Sequence, residues 1–284
     1  GIITIEDQAL ASCSNLASIT IPDSVISIGS GAFNNCQALE SVTIGEGVTS
    51  IGTAAFLGCI NLAEFKGKFA SADGRSLIIN NTIAYYANAS GTEFTIPDGV
   101  TMIGDQAFAI CLNLTSVTIP ESVIEIIPSA FFICPNLKEF KGKFAADGGR
   151  CLVMDDTIIT YAEASGNSYR IPDNITAIGD HAFYIDGSLT SVTFGKNVTD
   201  IHSFAFSQTS LSSVTLGGKI SRIYSYAFNY CPNLSNVIIG ENVTEIYNAA
   251  FYNCQSLKKV EVKAIIPPKI QYNTFDRGND IEFY

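Results

Sequence analysis

Asn113-Leu-Thr-Ser-Val-Thr-Ile-Pro120 is the stretch from which the rest of the chain can be read. Close variants recur from one end to the other. Residues 15–22 read NLASITIP, 38–45 ALESVTIG, 188–195 SLTSVTFG, 210–217 SLSSVTLG and 233–240 NLSNVIIG. The leading leucines are Leu16, Leu39, Leu62, Leu114, Leu137, Leu189, Leu211, Leu234 and Leu257, at intervals of 23, 23, 52, 23, 52, 22, 23 and 23. Each interval of 52 hides one more copy and divides into 29 and 23, with Gly91 and Gly166 in the leucine position ahead of Glu93-Phe-Thr-Ile-Pro97 and Tyr169-Arg-Ile-Pro172. A fixed period of this size marks a solenoid, in which each unit buries its apolar edge only against its neighbours. We therefore expect a single domain over residues 1–284, built from eleven units of which two are six residues longer.

Within one unit the pattern predicts the local structure. Leu16, Ile19 and Ile21 are apolar and Ser18 and Thr20 alternate with the last two, which predicts a short strand with one face inward. Pro22-Asp23 turns the chain, and Val25 and Ile28 predict a second, weaker strand. Then comes Ala32-Phe33, repeated as far as Ala250-Phe251. The alanine allows close packing and the phenylalanine fills the far edge of the core. This segment is too short for more than a helical or 3₁₀ turn. The two longer units share Lys-Gly-Lys-Phe, at Lys66 and Lys141, followed by a predicted hairpin. Its two-residue turns are Asn80-Asn81 and Asp155-Asp156. At the start, Ile5, Leu10 and Cys13 occupy the Ile28, Phe33 and Cys36 columns of a truncated unit. Residues 264–284 form a capping region: Ile265-Ile-Pro-Pro-Lys breaks the pattern, Phe275 takes a phenylalanine position, and Ile281-Glu-Phe-Tyr284 predicts a last strand.

The combination LxxVTIPxxVxxIGxxAFxxC in units of 23 residues resembles the Treponema pallidum-type, or BspA-like, leucine-rich repeat. Phe69-Ala-Ser-Ala-Asp-Gly-Arg-Ser-Leu77 and the Pro267-Pro268 segment are similar to that family too. The resemblance implies a curved, right-handed, mostly β leucine-rich-repeat coil with short 3₁₀ or helical turns and two inserted β-hairpins. It also implies an extracellular or cell-surface setting, mostly bacterial, and adhesion to a host or microbial surface protein or glycan. The repeat motif is structural and carries no functional residue across.

Composition narrows the function classes. Apolar residues make up 47% and charged residues 15%, as a long continuous core requires. The net charge of −11 argues against a nucleic-acid partner. No apolar run approaches the ~20 residues of a membrane span, so this segment is not expected to insert into a membrane. The chain opens on a partial unit, so a leader, an anchor and earlier repeats are expected outside it. Cys13, Cys36, Cys59, Cys111, Cys134, Cys231 and Cys254 each sit three residues before a leading leucine, one column of the solenoid, which reads as buried free thiols. There is no CxxC pair and there are only two histidines, so no metal site is predicted. His181 and His202 lie in different columns, with no serine or cysteine and carboxylate set to converge on either. No catalytic residue and no cofactor are predicted.

Departures from the repeat are the binding candidates. On the long strand, hydroxyl pairs such as Ser116/Thr118 give way to Glu64/Lys66 and Glu139/Lys141, which also read as cross-strand ion pairs. After the second strand, the glycines at 29, 52, 104 and 179 give way to His202, Tyr224 and Tyr247. Phe204 and Tyr226 follow two residues on, and Tyr184, Tyr230 and Tyr252 lie in nearby turns. Stacked on adjacent rungs they read in two ways: as larger residues that wrap the core where glycine is absent, the common outcome for aromatic side chains, or as an exposed aromatic strip suited to a protein interface or to sugar stacking. The alternative is a spacer that displays something else in a longer surface protein.

Overall fold

The computed structural model describes residues 1–275 and 281–284. They form two compact units, the first of residues 1–137 with 141–143, the second of residues 138–140 with 144–284. Each is a β-solenoid.

In the first unit the long strands Ser18–Thr20, Ser41–Ile44 and Glu64–Gly67 pair in parallel, with Ser18 opposite Ser41 and Ser41 opposite Glu64. Glu93–Thr95 pairs in the same way with Ser116–Ile119. The short strands Thr4–Ile5, Ser27–Ile28 and Ser50–Ile51 form a second parallel ladder, and Thr82–Tyr86, Met102–Ile103 and Glu125–Ile126 another. In the second unit the short-strand ladder runs unbroken from Thr157–Tyr161 to Lys269–Ile270. There the long strands Ser213–Leu216, Asn236–Ile239 and Lys259–Val262 pair in parallel, and Glu282–Phe283 closes the row as the last strand. The alternating pattern places Leu39, Val42 and Ile44 in the core of the first unit, and Leu234, Val237 and Ile239 in the core of the second. The N-terminal register holds as read, Ile5 lying opposite Ile28. At the other end Phe275 stacks on Phe251, with centroids 5.4 Å apart.

The Phe-bearing segments differ from expectation. They are not 3₁₀ or helical; 3₁₀ geometry among the described residues occurs at Asp147–Gly149 and Glu163–Ser165. Instead the residues two before and two after most of these phenylalanines are left-handed, as at Gln106 and Ile110 (φ 55° and 58°) or Tyr226 and Tyr230 (φ 61° and 54°). A 3₁₀ turn would spend its N–H groups within its own coil. Here they alternate: the N–H groups of Ala32, Asn34 and Cys36 bond three residues back within the coil, while those of Gly31, Phe33 and Asn35 reach the next coil. The amides of Phe33, Phe108, Phe183, Phe206 and Phe228 each donate to the alanine carbonyl of the next coil at 2.8 Å. Each unit thus has a third line of hydrogen bonds besides its two strand ladders. The rings follow it: Phe183, Phe206, Phe228 and Phe251 stack at 4.7, 5.2 and 5.2 Å.

None of the eight cysteines is in a disulfide, and only Cys13 is not buried. The thiols also have work to do that their spacing did not reveal. Cys59, Cys134 and Cys254 donate to the carbonyls of Phe33, Phe108 and Phe228 on the preceding coil, at 3.1, 3.1 and 3.0 Å. Burial pushes Cys59 up to about 12 and raises Cys111 and Cys151, so these thiols are unreactive.

The two hairpins form as predicted. Ser76–Ile79 pairs antiparallel with Thr82–Tyr86, and Cys151–Met154 with Thr157–Tyr161. Asn80, Asn81, Asp155 and Asp156 all have positive φ, between 46° and 60°, the double left-handed turn that two-residue hairpins favour. The second strand of each hairpin serves as the short strand of its coil. The long-strand ladder is interrupted beside the first hairpin, and the preceding loop plugs the gap. Phe65 N–H donates to Gly74 O at 2.7 Å, and Arg75 reaches Glu93 O at 2.6 Å. The Arg75 guanidinium also donates to Tyr86 Oη at 2.9 Å and lies over the rings of Phe94 and Tyr86. In the second unit Arg150 repeats this with Tyr161 Oη and Ser168 O.

Candidate recognition surface

The aromatic departures come together in the second unit. At the glycine column the chain normally runs too close to the coil before it for a side chain. A Cβ at Gly179 would lie 2.7 Å from Ile158 O. Where His202, Tyr224 and Tyr247 stand instead, the rings project outward and stack on one another. His202 and Tyr224 are 4.8 Å apart, Tyr224 and Tyr247 5.0 Å and within 2° of parallel. Alongside runs a second stack of His181, Phe204 and Tyr226, with spacings of 5.0 and 4.8 Å. These three occupy the left-handed position before the buried phenylalanine (φ 59°, 58° and 61°). His181 therefore belongs to the strip, which its position before an Ala-Phe pair signalled only as a turn residue. All six rings are half-buried. Tyr230 and Tyr252 sit edge to face nearby, 48% and 37% exposed.

Stacking changes what the strip offers. Each ring within a stack covers the face of its neighbour, so edges and hydroxyls meet solvent. A row of edges, with an apolar body and polar tips, suits a protein surface. Charges flank it: Arg222 Nε lies 2.6 Å from Asp200 Oδ1 and its guanidinium stands over Tyr224. Tyr247 Oη donates to Glu245 Oε2 at 2.7 Å, and that acceptor holds the phenol above its ordinary range.

The charged candidates lie on the long strands Glu64–Gly67 and Glu139–Gly142. Lys66 Nζ lies 2.5 Å from Glu64 Oε1 with both side chains about half exposed, so the pair is formed along one strand and not across two. Residues at i and i+2 of a strand share a face, and an exposed pair of this kind contributes little. Glu139 is half-buried and Lys141 exposed on the strand Glu139–Gly142. Among the described residues no group of three or more His, Cys, Asp or Glu side chains is placed to hold a metal ion. No helix among them is long and apolar enough to cross a membrane.

The profile of the family described as BspA type Leucine rich repeat region matches six copies, over residues 1–72, 78–143 and 159–282. The chain belongs to the BspA-type leucine-rich repeat family. Solved structures similar to this BspA-type chain include a leucine rich cell surface protein from Faecalibacterium prausnitzii A2-165, at 23% identity and TM-score 0.55 over 99% of this chain and 82% of that one. A leucine-rich repeat protein from Eubacterium ventriosum ATCC 27560 matches at 19% identity and TM-score 0.57, over 94% and 84%. The pneumococcal vaccine antigen PcpA matches at 18% identity and TM-score 0.55, over 100% and 79%. At these identities the likeness is one of fold. Comparison with curated proteins gives no match. The BspA-type consensus accounts for the columns and says nothing of the strip, which exists only where this chain departs from its own repeat.

Proposed function

We propose that this BspA-type chain is a non-enzymatic recognition module of a bacterial surface or secreted protein, and that it binds a protein partner through the aromatic strip. The observation that carries the reading is the pair of parallel ring stacks, His202–Tyr224–Tyr247 and His181–Phe204–Tyr226, half-exposed on adjacent coils. Aromatic side chains on a rigid support are the residue types that dominate binding energy at protein interfaces. The descriptions of two structural relatives, a cell surface protein and a vaccine antigen, support the setting. Host or microbial surface proteins are the partner class, and no covalent step or cofactor enters.

Binding of the purified chain to arrays of extracellular-matrix and bacterial surface proteins tests this. Tyr224→Ala with Tyr247→Ala should weaken the strongest interaction by at least tenfold without unfolding the chain, as circular dichroism would report. Unchanged binding removes the strip from the interface. Binding to no surface protein at all favours the spacer role.

A further inference from the structure

Among the described residues of the second unit, one opening in the long-strand sheet has no loop across it. Ser191–Thr193 pairs with Ser168–Arg170, and Ser213–Leu216 pairs with Asn236–Ile239, but the two do not pair with each other. The break falls in the one unit of 22 residues, between Leu189 and Leu211. The lost residue lies in the corner before Ser213. The short-strand and phenylalanine ladders keep register across it, with Ile201 opposite Ile223 and Phe206 N–H bonded to Ala227 O at 2.8 Å. The long strand therefore takes the whole mismatch. Ser212 N–H still reaches Thr190 O at 3.3 Å, so the slit is closed at that end. Toward the other end it opens. The bond that would run from Phe194 N–H to Thr215 O is absent, although Ile171 N–H makes its equivalent to Thr193 O at 2.9 Å one coil earlier.

Two further observations show the opening independently. A Cβ on Gly195 or Gly240 would collide with the preceding coil, at 2.4 Å from Pro172 O and 2.3 Å from Leu216 O, whereas one on Gly217 would meet nothing there within 4 Å. And Val192 and Phe194 occupy core columns yet are half-buried, while Val214, Val237, Leu216 and Ile239 are 2% exposed or less. Phe194 stands edge-on to Phe206, with centroids 5.7 Å apart, and the rest of its ring looks into the slit.

We propose that this slit, of about 340 Å³, binds a neutral saccharide. Its floor is an aromatic ring. Its lips are the exposed hydroxyls of Ser191 and Thr193 on one side and Ser213 and Thr215 on the other, together with backbone edges free of ladder bonds. No charged residue lines it, which disfavours an ionic ligand. Several Cα pairs across it lie within 8 Å, and an inserted peptide strand would need ~9.6 Å, twice the strand spacing. Water-sized hydroxyl groups bridge such edges well, and a sugar ring carries several of them on an apolar face that suits Phe194. The site is separate from the aromatic strip and does not depend on a protein partner binding there.

Titration of the purified chain with a panel of neutral mono- and disaccharides, followed by ligand-observed NMR and calorimetry, tests the proposal. At least one member should bind, and Phe194→Leu or Thr193→Asp should each weaken it tenfold or more. Leucine already fills the equivalent core position at Leu216, and Thr193 is exposed, so both variants should fold. One residue inserted after Thr209 restores the 23-residue spacing, and it should abolish binding and protect the Phe194 amide from exchange. Tyr224→Ala with Tyr247→Ala should leave sugar binding intact. The proposal is overturned if no panel member binds, if binding survives both slit variants, or if it is lost only in the tyrosine variant.

Discussion

Asp186 stands where the repeat places cysteine, and it is 1% exposed. Its Oδ1 accepts from Ser188 N, Ser188 Oγ and Leu189 N, while Oδ2 is buried without a hydrogen-bond partner. Burial outweighs those three bonds and pushes the carboxyl up to about 6. The sign follows. The folded chain holds this proton above pH 3.8, where the unfolded chain has released it, so the group's contribution declines as pH rises from about 4 to 6. At pH 7.5 the deficit approaches ~3 kcal/mol. Asp186→Asn should remove that slope, raise the unfolding free energy at pH 7.5 by up to this amount, and move the urea midpoint upward accordingly. Asn88 already occupies the same column, where its amide donates to Ala109 O and Ile110 O. Urea titrations at pH 4.5 and 7.5 check it; equal midpoint shifts at both pH values would contradict it. The column was legible from spacing alone. That its cysteines bond a carbonyl on the preceding coil was not, because a repeat reports which residues share a position and not what they bond to.

Among elements, the hairpin units show how a long insertion is held. Arg75 joins the loop, the hairpin and the next long strand through Ser90 Oγ, Tyr86 Oη and Glu93 O, with its guanidinium 4.9 Å from the Phe94 centroid. Arg75→Ala should cost about 2–4 kcal/mol, from lost charged hydrogen bonds and stacking. Arg75→Lys should recover less than half, since an ammonium has neither the planar fork nor the stacking face. Chemical unfolding gives the energies, and exchange at Tyr86 and Ala87 should rise first. The hairpins and their Asn-Asn and Asp-Asp turns could be read from sequence because turn chemistry is local. The arginine plug could not, since its partners lie 11 to 18 residues away. Nor could the left-handed Phe turns, where Ile110, Phe204 and Tyr226 adopt positive φ without the glycine or asparagine that signals it.

For the second unit as a whole, stability is a sum over coils and the contacts between neighbours. Phe228 stacks on Phe206 and Phe251, each 5.2 Å away, and all three are fully buried. Phe228→Ala should cost about 3–5 kcal/mol. Amides that cross its two interfaces, those of Phe206 and Phe228, should exchange ~100-fold faster or more, while that of Phe183, two coils away, should change far less. Uniform acceleration would show that the unit opens all at once. The periodic leucines made the 23-residue spacing and the inner row legible at this scale. The slit was present in the sequence as a single interval of 22. What that interval does depends on which of the three bonded lines yields, and only coordinates decide that.

A coil tied to its neighbour along three lines does not come apart when one of them fails. Copying errors that add or drop a residue at a corner are therefore survivable: the two intact lines preserve the fold, and the error is left at the surface as a new crevice. In such a molecule a residue gained or lost at a corner reshapes the surface and spares the core.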